Sequence, residues 1–322
     1  MGRVADLLSD QAAQRASATP IDLYAWMVLA RELDGALCEL NPKWFPCYGE
    51  EACIVGSFID LGPNDVAAPH YRDPFIVYLM RGAEMWRLVA QVLGSGDGYS
   101  RGRSLPFYGP PQLGNLPWVA GDLGTSLGVA TGAALALRER GDQGVCVCTF
   151  GDGTSNRGDL HEAVNIAALW KLPIVFLCQN NGWSISQPAA SYLSAPVHHR
   201  ASGYGIPGHA VDGQDVQEVR RAVREAIARA RQGDGPSLIE ARTCRYGGHW
   251  AGDDQAYRSG KDAAPDPLQV LADRLVQGGM AQHDVLAAMR EEAIEAVLAA
   301  VNVARTATPV GPEQLGVDEV YA

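Results

Sequence analysis

An α/β fold with a mostly parallel sheet and helices on both faces is what this 322-residue chain predicts, and three local features carry the prediction. Two short apolar runs, 145–150 and 173–179, lack internal turn residues and end in turn chemistry, the signature of strands buried on both faces. Between them, residues 156–171 place Leu160, Val164, Ala167, Ala168 and Trp170 at helical spacing before Pro173 stops the pattern. A strand, helix, strand crossover of this kind brings the loops after both strands to one sheet edge. Those loops read Gly151-Asp152-Gly153 and Asn180-Asn181-Gly182-Trp183.

The remaining elements follow in order. Residues 1–18 lack strong periodicity, with a short helix or loose arm around Asp6-Leu7-Leu8, and residues 21–38 read as an amphipathic helix started by Thr19-Pro20. A loop spans 42–49, a helix 50–59, and a strand 65–68 ends at His70-Tyr71-Arg72. The helix 84–93 precedes a long loop, 94–117, rich in Gly, Ser and aromatics, and a loop of that length points to a functional role. Gly124, Gly128, Ala130, Gly132 and Ala133 make 124–138 a small-residue helix suited to close packing. A charged surface helix (216–231), a strand (237–242) leading into the His249 loop, two helices (267–277 and 283–303) and a Pro- and Gly-punctuated tail complete the chain.

Composition narrows the class. The length and the 47% apolar share suit one large globular α/β domain with a substantial core. The net charge of −11, with acidic and basic residues mixed, argues against a nucleic-acid partner. No window is apolar enough to span a bilayer and no signal-peptide pattern opens the chain, which places it in the cytoplasm without a membrane partner. Seven cysteines without paired metal spacing read as reduced core residues, Cys146, Cys148 and Cys178 among them.

Asp152 and Asn181 are hard oxygen donors at the ends of two neighbouring strands, where an open parallel sheet binds its ligand. With a nearby backbone carbonyl they form an incomplete shell of the kind Mg²⁺ takes when phosphate oxygens and water complete it. Either loop alone reads equally well as a plain strand-to-helix turn; the pair predicts a metal-anchored diphosphate site. No Gly-x-Gly-x-x-Gly turn follows a strand, which disfavours a nicotinamide-binding Rossmann enzyme.

Gly151-Asp152-Gly153, the spacer 154–179 and Asn180-Asn181 resemble the thiamin diphosphate fingerprint of transketolases, decarboxylases and 2-oxo acid dehydrogenases. The stretch 158–181, His70-Tyr71-Arg72, Cys244-Arg245-Tyr246-Gly247-Gly248-His249 with Asp253 and Tyr257-Arg258, and Val317-Asp318-Glu319-Val320-Tyr321-Ala322 narrow the likeness. They resemble the alpha subunit of the first component of pyruvate, acetoin and branched-chain 2-oxo acid dehydrogenase complexes. The resemblance implies the thiamin diphosphate-binding fold, arranged as an N-terminal helical arm (1–45), a cofactor-binding α/β domain (46–305) and a C-terminal tail (306–322) that contacts another subunit.

It also implies site roles. Asp152, the Asn181 side chain and the Trp183 carbonyl would hold Mg²⁺; Gly151, Gly153 and Thr154 would approach the diphosphate, with amides near Thr154 donating to it. Arg72 would fork to a phosphate beside Tyr71, Gly121 and Leu123 would meet the aminopyrimidine, and His249 would act on substrate from a loop with a flexible Gly247-Gly248 lead. His161 and the pair His198-His199 match no catalytic motif and read as helix residue and loop surface. The activity implied is decarboxylation of a 2-oxo acid and acyl transfer to a lipoyl-bearing acyltransferase. The resemblance also implies a beta subunit that would supply an essential glutamate in an α2β2 heterotetramer. A two-subunit carboligase or decarboxylase not using lipoamide, and a catalytically silent scaffold, are the alternatives. Trp250 stands after His249, where mitochondrial relatives often carry a phosphorylated serine, and it would narrow the pocket or line the acceptor's entrance.

Overall fold

The computed structural model describes residues 2–9, 17–72, 74–103, 107–117, 122–258 and 264–311. The strands among them are β1 (Val66–Ala68), β2 (Cys146–Gly151), β3 (Ile174–Asn180), β4 (Trp183–Ser184), β5 (Gln187–Pro188), β6 (Gly208–Asp212) and β7 (Ser237–Arg242). Five of them form one sheet in the order β1-β2-β3-β7-β6, all pairs parallel, while β4 and β5 make a small antiparallel ladder beyond it. The helices are α1 (Arg3–Ser9), α2 (Pro20–Leu40), α3 (Glu51–Phe58), α4 (Pro74–Met80), α5 (Met85–Val92), α6 (Thr125–Glu139), α7 (Gly158–Leu169), α8 (Val216–Arg231), α9 (Pro267–Gln277) and α10 (His283–Arg305).

The period-2 alternation of side chains divides the strands between two cores. Val145, Val147, Val175, Leu177, Ile239 and Ala241 face the larger one, shared with α2, α3, α4, α5, α8, α9 and α10. Cys146, Cys148, Phe150, Ile174, Phe176, Cys178 and Leu238 face the smaller one, closed by α6 and α7. The expected two-faced burial of 145–150 and 173–179 is therefore what the sheet has, and the cysteines of these strands are core residues. All seven cysteines lie among the described residues and no disulfide joins them.

Local chemistry explains the ends of α2. Thr19 caps it by accepting the Asp22 N–H at 3.3 Å while the Asp22 carboxylate takes the Thr19 N–H at 2.7 Å, a capping box with Pro20 in the first turn. The amphipathic reading of this helix is corrected: Asp22 through Ala30 are buried without interruption, because α10 and α9 cover the side that a surface helix would leave wet. Helix α4 escaped the sequence reading for the same reason, since all seven of its residues are buried and show no polar stripe. Strand β6 escaped because Gly208 and His209 lack β propensity and it lies at the sheet edge. The loop 94–117 is tied down where it is described: Ser95 Oγ donates to the Thr308 carbonyl at 2.9 Å, a short helical turn spans Pro111–Leu113, and Asn115 bridges to Ala67.

Phe176 is fully buried on β3 between α6 and α7. Phe176→Ala is expected to cost roughly 3–5 kcal/mol through lost transfer energy and a residual cavity, read as a lower urea midpoint at unchanged slope; a cost under about 1 kcal/mol would contradict the packing described.

Candidate active site

Sheet register builds the site. Gly151 lies level with Gln179, and Asn180 with Arg242, so the loops after β2, β3 and β7 emerge side by side at the carboxyl edge. The His70 N–H donates to Thr149 Oγ1 at 2.8 Å, which draws the segment after β1 to the same edge. These loops surround a cavity of about 120 Å³ lined by Phe45, His70, Tyr71, Arg72, Leu123, Gly151, Asp152, Gly153, Thr154, Asn181, Trp183, Ser184, Ile185 and His249. Every expected site residue within the described chain is among them; Gly121 lies outside the described residues.

Asp152 opens a short 3-10 turn, Asp152–Asn156, that separates β2 from α7, so the amides near Thr154 belong to this turn rather than to the start of the following helix. Its carboxylate is 1% exposed and accepts the Tyr192 hydroxyl. Burial pushes its pKa up to about 6 against the opposing effect of Tyr192. Asn181 donates from Nδ2 to Glu50 Oε1 at 3.1 Å, and its Oδ1 accepts the Trp183 N–H at 3.1 Å. The amide thus presents its oxygen on the side of Trp183, where β4 begins. A Cβ on Gly153 would collide with the Ser184 side chain, so this glycine also answers a packing demand inside the loop cluster.

The donor set fits Mg²⁺. Among the described residues no group of three or more His, Cys, Asp and Glu side chains could hold a metal. What lines the cavity is one carboxylate, one amide oxygen and backbone carbonyls, a hard and incomplete shell of the kind Mg²⁺ completes with phosphate and water.

His249 is 9% exposed and packs edge-on against Phe45 and Tyr71. Arg72 Nη2 and Arg245 Nη1 both stand 3.4 Å from its Nδ1. Guanidinium groups only donate, so Nδ1 is the acceptor and Nε2 carries the proton. Burial, then the charges of Arg72 and Arg245, push the imidazole down to about 3, and it is neutral at pH 7. The His249 N–H donates to Asp253 Oδ2 at 2.6 Å, which also accepts the Tyr257 hydroxyl at 2.6 Å. A Cβ on Gly248 would overlap Asp253, so the glycine read as a flexible lead is required by close packing in a braced loop.

Arg72 is 2% exposed, and the fork expected for a phosphate meets protein acceptors instead: Nη1 donates to the Pro46 carbonyl at 2.7 Å, Nη2 to the His249 carbonyl at 3.2 Å, and Nε faces Glu50 Oε2 at 3.1 Å. Glu50 itself was not anticipated. It is buried at the start of α3 and accepts from Thr243 Oγ1 at 2.8 Å as well as from Asn181. Its one sequence signal was an acidic pair, Glu50-Glu51, opening an otherwise apolar helix. Arg245 and Tyr192 were likewise missed as site residues, because their roles depend on loops that meet only in the fold. Trp250 packs edge-on to His249 with ring centres 5.8 Å apart, is 38% exposed and is not among the residues lining the cavity of this chain. His161 is exposed on α7 and meets the Tyr204 hydroxyl at 2.5 Å. The loop-surface reading of His198 is corrected: its Nδ1 pairs with the buried Glu240 at 2.6 Å.

The sequence model of the dehydrogenase E1 component matches residues 42–313. This chain belongs to the dehydrogenase E1 component family. It is 33% identical over 314 residues to the 2-oxoisovalerate dehydrogenase subunit alpha of Bacillus subtilis, covering 94% of this chain and 95% of that one. The pyruvate dehydrogenase E1 component subunit alpha of Porphyra purpurea is 37% identical over 286 residues, 82% of each chain. The 3-methyl-2-oxobutanoate dehydrogenase subunit alpha of Mycobacterium tuberculosis is 38% identical over 260 residues, 76% of this chain and 67% of the relative. The family uses thiamin diphosphate with a divalent metal, typically Mg²⁺, and its alpha subunits join beta subunits as α2β2 and work with a lipoyl acyltransferase. Among the described residues no helix is long and apolar enough to cross a membrane.

The buried Asp152 carboxylate yields a test. Its folded pKa of about 6 lies above the ordinary 3.8, so the folded chain binds the extra proton between these values. The burial penalty is therefore present above pH 6 and is relieved as pH falls toward 4. Without Mg²⁺, Asp152→Asn is expected to stabilise the protein at pH 7.5 by on the order of 2 kcal/mol, to lose that advantage near pH 4.5, and to gain nothing from added Mg²⁺ and cofactor. Melting curves at both pH values decide it; a variant less stable than the parent at pH 7.5 would be the contrary result.

Proposed function

We propose that this chain is the metal- and diphosphate-holding alpha subunit of an E1 enzyme that decarboxylates a 2-oxo acid with a short aliphatic side chain, pyruvate or a branched homologue. The observation that carries the reading is the meeting of Asp152, Asn181 and Trp183, at the ends of neighbouring strands, with a neutral His249 in the same cavity. Relatives named for 2-oxoisovalerate, 3-methyl-2-oxobutanoate and pyruvate support a substrate of this size. Seven free cysteines suit a reducing compartment, and we place the enzyme in the cytoplasm.

When bound, thiamin diphosphate supplies the carbanion stabilisation that the reaction needs. The chain's own residues hold and orient. Asp152, Asn181 Oδ1 and the Trp183 carbonyl are the Mg²⁺ ligands in this reading, and Gly151, Gly153 and Thr154 offer backbone amides and close approach to the diphosphate. Arg72 contributes charge, since its hydrogen bonds already anchor the Pro46 and His249 loops. Tyr71 and Leu123 wall the cavity, and Gly121 belongs to the aminopyrimidine side. His249 donates a hydrogen bond from Nε2 to the carboxylate of the 2-oxo acid or to oxygen that gains negative charge, and Arg72 and Arg245 at Nδ1 hold the ring in the tautomer able to do so.

Purified with its beta subunit, the enzyme is expected to release carbon dioxide from pyruvate or a branched 2-oxo acid only with thiamin diphosphate and Mg²⁺ present. His249→Ala should leave cofactor affinity within a few-fold and lower kcat by roughly 10²–10⁴. Cofactor binding without decarboxylation of any acid in such a panel would exclude the dehydrogenase reading, and full turnover by the histidine variant would remove His249 from the chemistry.

A further inference from the structure

Beside the Asn180-Asn181-Gly182-Trp183 loop lies a hydrogen-bonded chain, Glu240, His198, Asn180 and Gly182, whose members do not line the cavity. It centres on Glu240 of β7, whose side chain is 2% exposed. Glu240 Oε2 accepts the His198 N–H at 3.0 Å and meets His198 Nδ1 at 2.6 Å. Glu240 Oε1 accepts Asn180 Nδ2 at 2.7 Å, and Asn180 Oδ1 in turn accepts the Gly182 N–H at 3.1 Å. Burial alone would raise the Glu240 carboxyl; the bonds from His198 and Asn180 outweigh it and hold the group below the usual carboxylate range. The loop turns through Gly182 at φ +80°, and one residue earlier Asn181 points its oxygen toward the Trp183 N–H.

The direction of each bond in this chain follows from the one before it. The His198 N–H is a fixed donor, so Oε2 must accept. An ionised carboxylate also accepts at Oε1, so Asn180 must turn its NH₂ group to Glu240, which leaves Asn180 Oδ1 facing the Gly182 N–H. We infer that Glu240 is a positioning residue for the metal-binding loop: through Asn180 it dictates the polarity that closes the turn carrying Asn181 and Trp183. This rests on the reading of Asp152 and Asn181 as Mg²⁺ ligands. Neither Glu240 nor His198 belongs to any motif that marked the site in the sequence, and neither lines the cavity.

Polarity provides a test that bulk does not. In Glu240→Gln the His198 N–H still demands an oxygen, so the new NH₂ group faces the Asn180 NH₂ group. Asn180 must then rotate and leave the Gly182 N–H without its acceptor. Adding Asn180→Asp restores every bond, because the carboxylate it introduces accepts both the new NH₂ group on β7 and the Gly182 N–H. Mg²⁺ affinity would be measured by titration calorimetry on the α2β2 enzyme with thiamin diphosphate and no 2-oxo acid, alongside melting curves. Glu240→Gln is expected to weaken Mg²⁺ binding about 10–100-fold, and the double variant to recover to within a few-fold of the parent. His198→Ala keeps the backbone donor and is expected to change affinity less than Glu240→Gln.

Parental affinity in folded Glu240→Gln, or a folded double variant as weak as the single one, overturns the inference. If Glu240→Gln does not fold, recovery of both fold and affinity in the double variant supports it, and failure of both to fold overturns it. Asp152→Ala separates the two claims: retained Mg²⁺ affinity in that variant defeats the ligand assignment itself, whereas loss there with parental affinity in Glu240→Gln defeats only the role of Glu240.

Discussion

Six paired positions hold β2 and β3 at one height, from Cys146 beside Ile174 to Gly151 beside Gln179. A parallel pair set in this register delivers Asp152 and Asn181 to adjacent points on one edge, and the buried faces of both strands make the register hard to shift. A slip of one residue would exchange Val175 and Leu177 with Ile174, Phe176 and Cys178 between the two cores. The position of the oxygen donors is thus fixed by apolar packing some distance below them, and the loops need only complete their orientation.

Orientation comes from buried charge. Glu50 ties Arg72 to Asn181 and Thr243, linking the start of α3 to the ends of β3 and β7. Arg72 carries the connection to the Pro46 and His249 carbonyls. Isolated buried charges are costly, whereas a carboxylate whose oxygens meet a guanidinium, an amide and a hydroxyl has its desolvation offset. Two guanidinium groups then stand near a neutral imidazole and leave this part of the cavity electropositive, suited to an anionic ligand. Burial first, and then these charges, hold His249 unprotonated, and the guanidinium donors at Nδ1 leave Nε2 as its donor.

The two loops read from the sequence as the metal and diphosphate elements were legible because their chemistry is local. Gly151-Asp152-Gly153 and Asn180-Asn181 follow directly on strands whose apolar runs are unmistakable, and the crossover between them dictates a shared edge. The helices at 216–231 and 267–277 have the bounds read from the sequence, and the structure adds their caps, Asp215 and Asp266. Helix α4 and strand β6 were not legible, since one is buried on every side and the other is an edge strand of weak propensity. A Cβ has no room at Gly248, which is a statement about Asp253 and invisible in a run of two glycines.

The sequence by itself determined the strand, helix, strand unit, its two polar terminations and the identity of the family, because each is written in residues a few positions apart or in motifs preserved in order. Only the tertiary structure decided that Glu50, Arg245 and Tyr192 belong to the site, that Arg72 spends its hydrogen bonds on protein carbonyls, and that Glu240 stands behind Asn180. Apart from the Arg245–His249 contact, which spans four residues of one loop, these join groups 26 or more residues apart. A hydrogen bond's partner and polarity depend on where other elements place their donors, and that information exists only once the chain has closed.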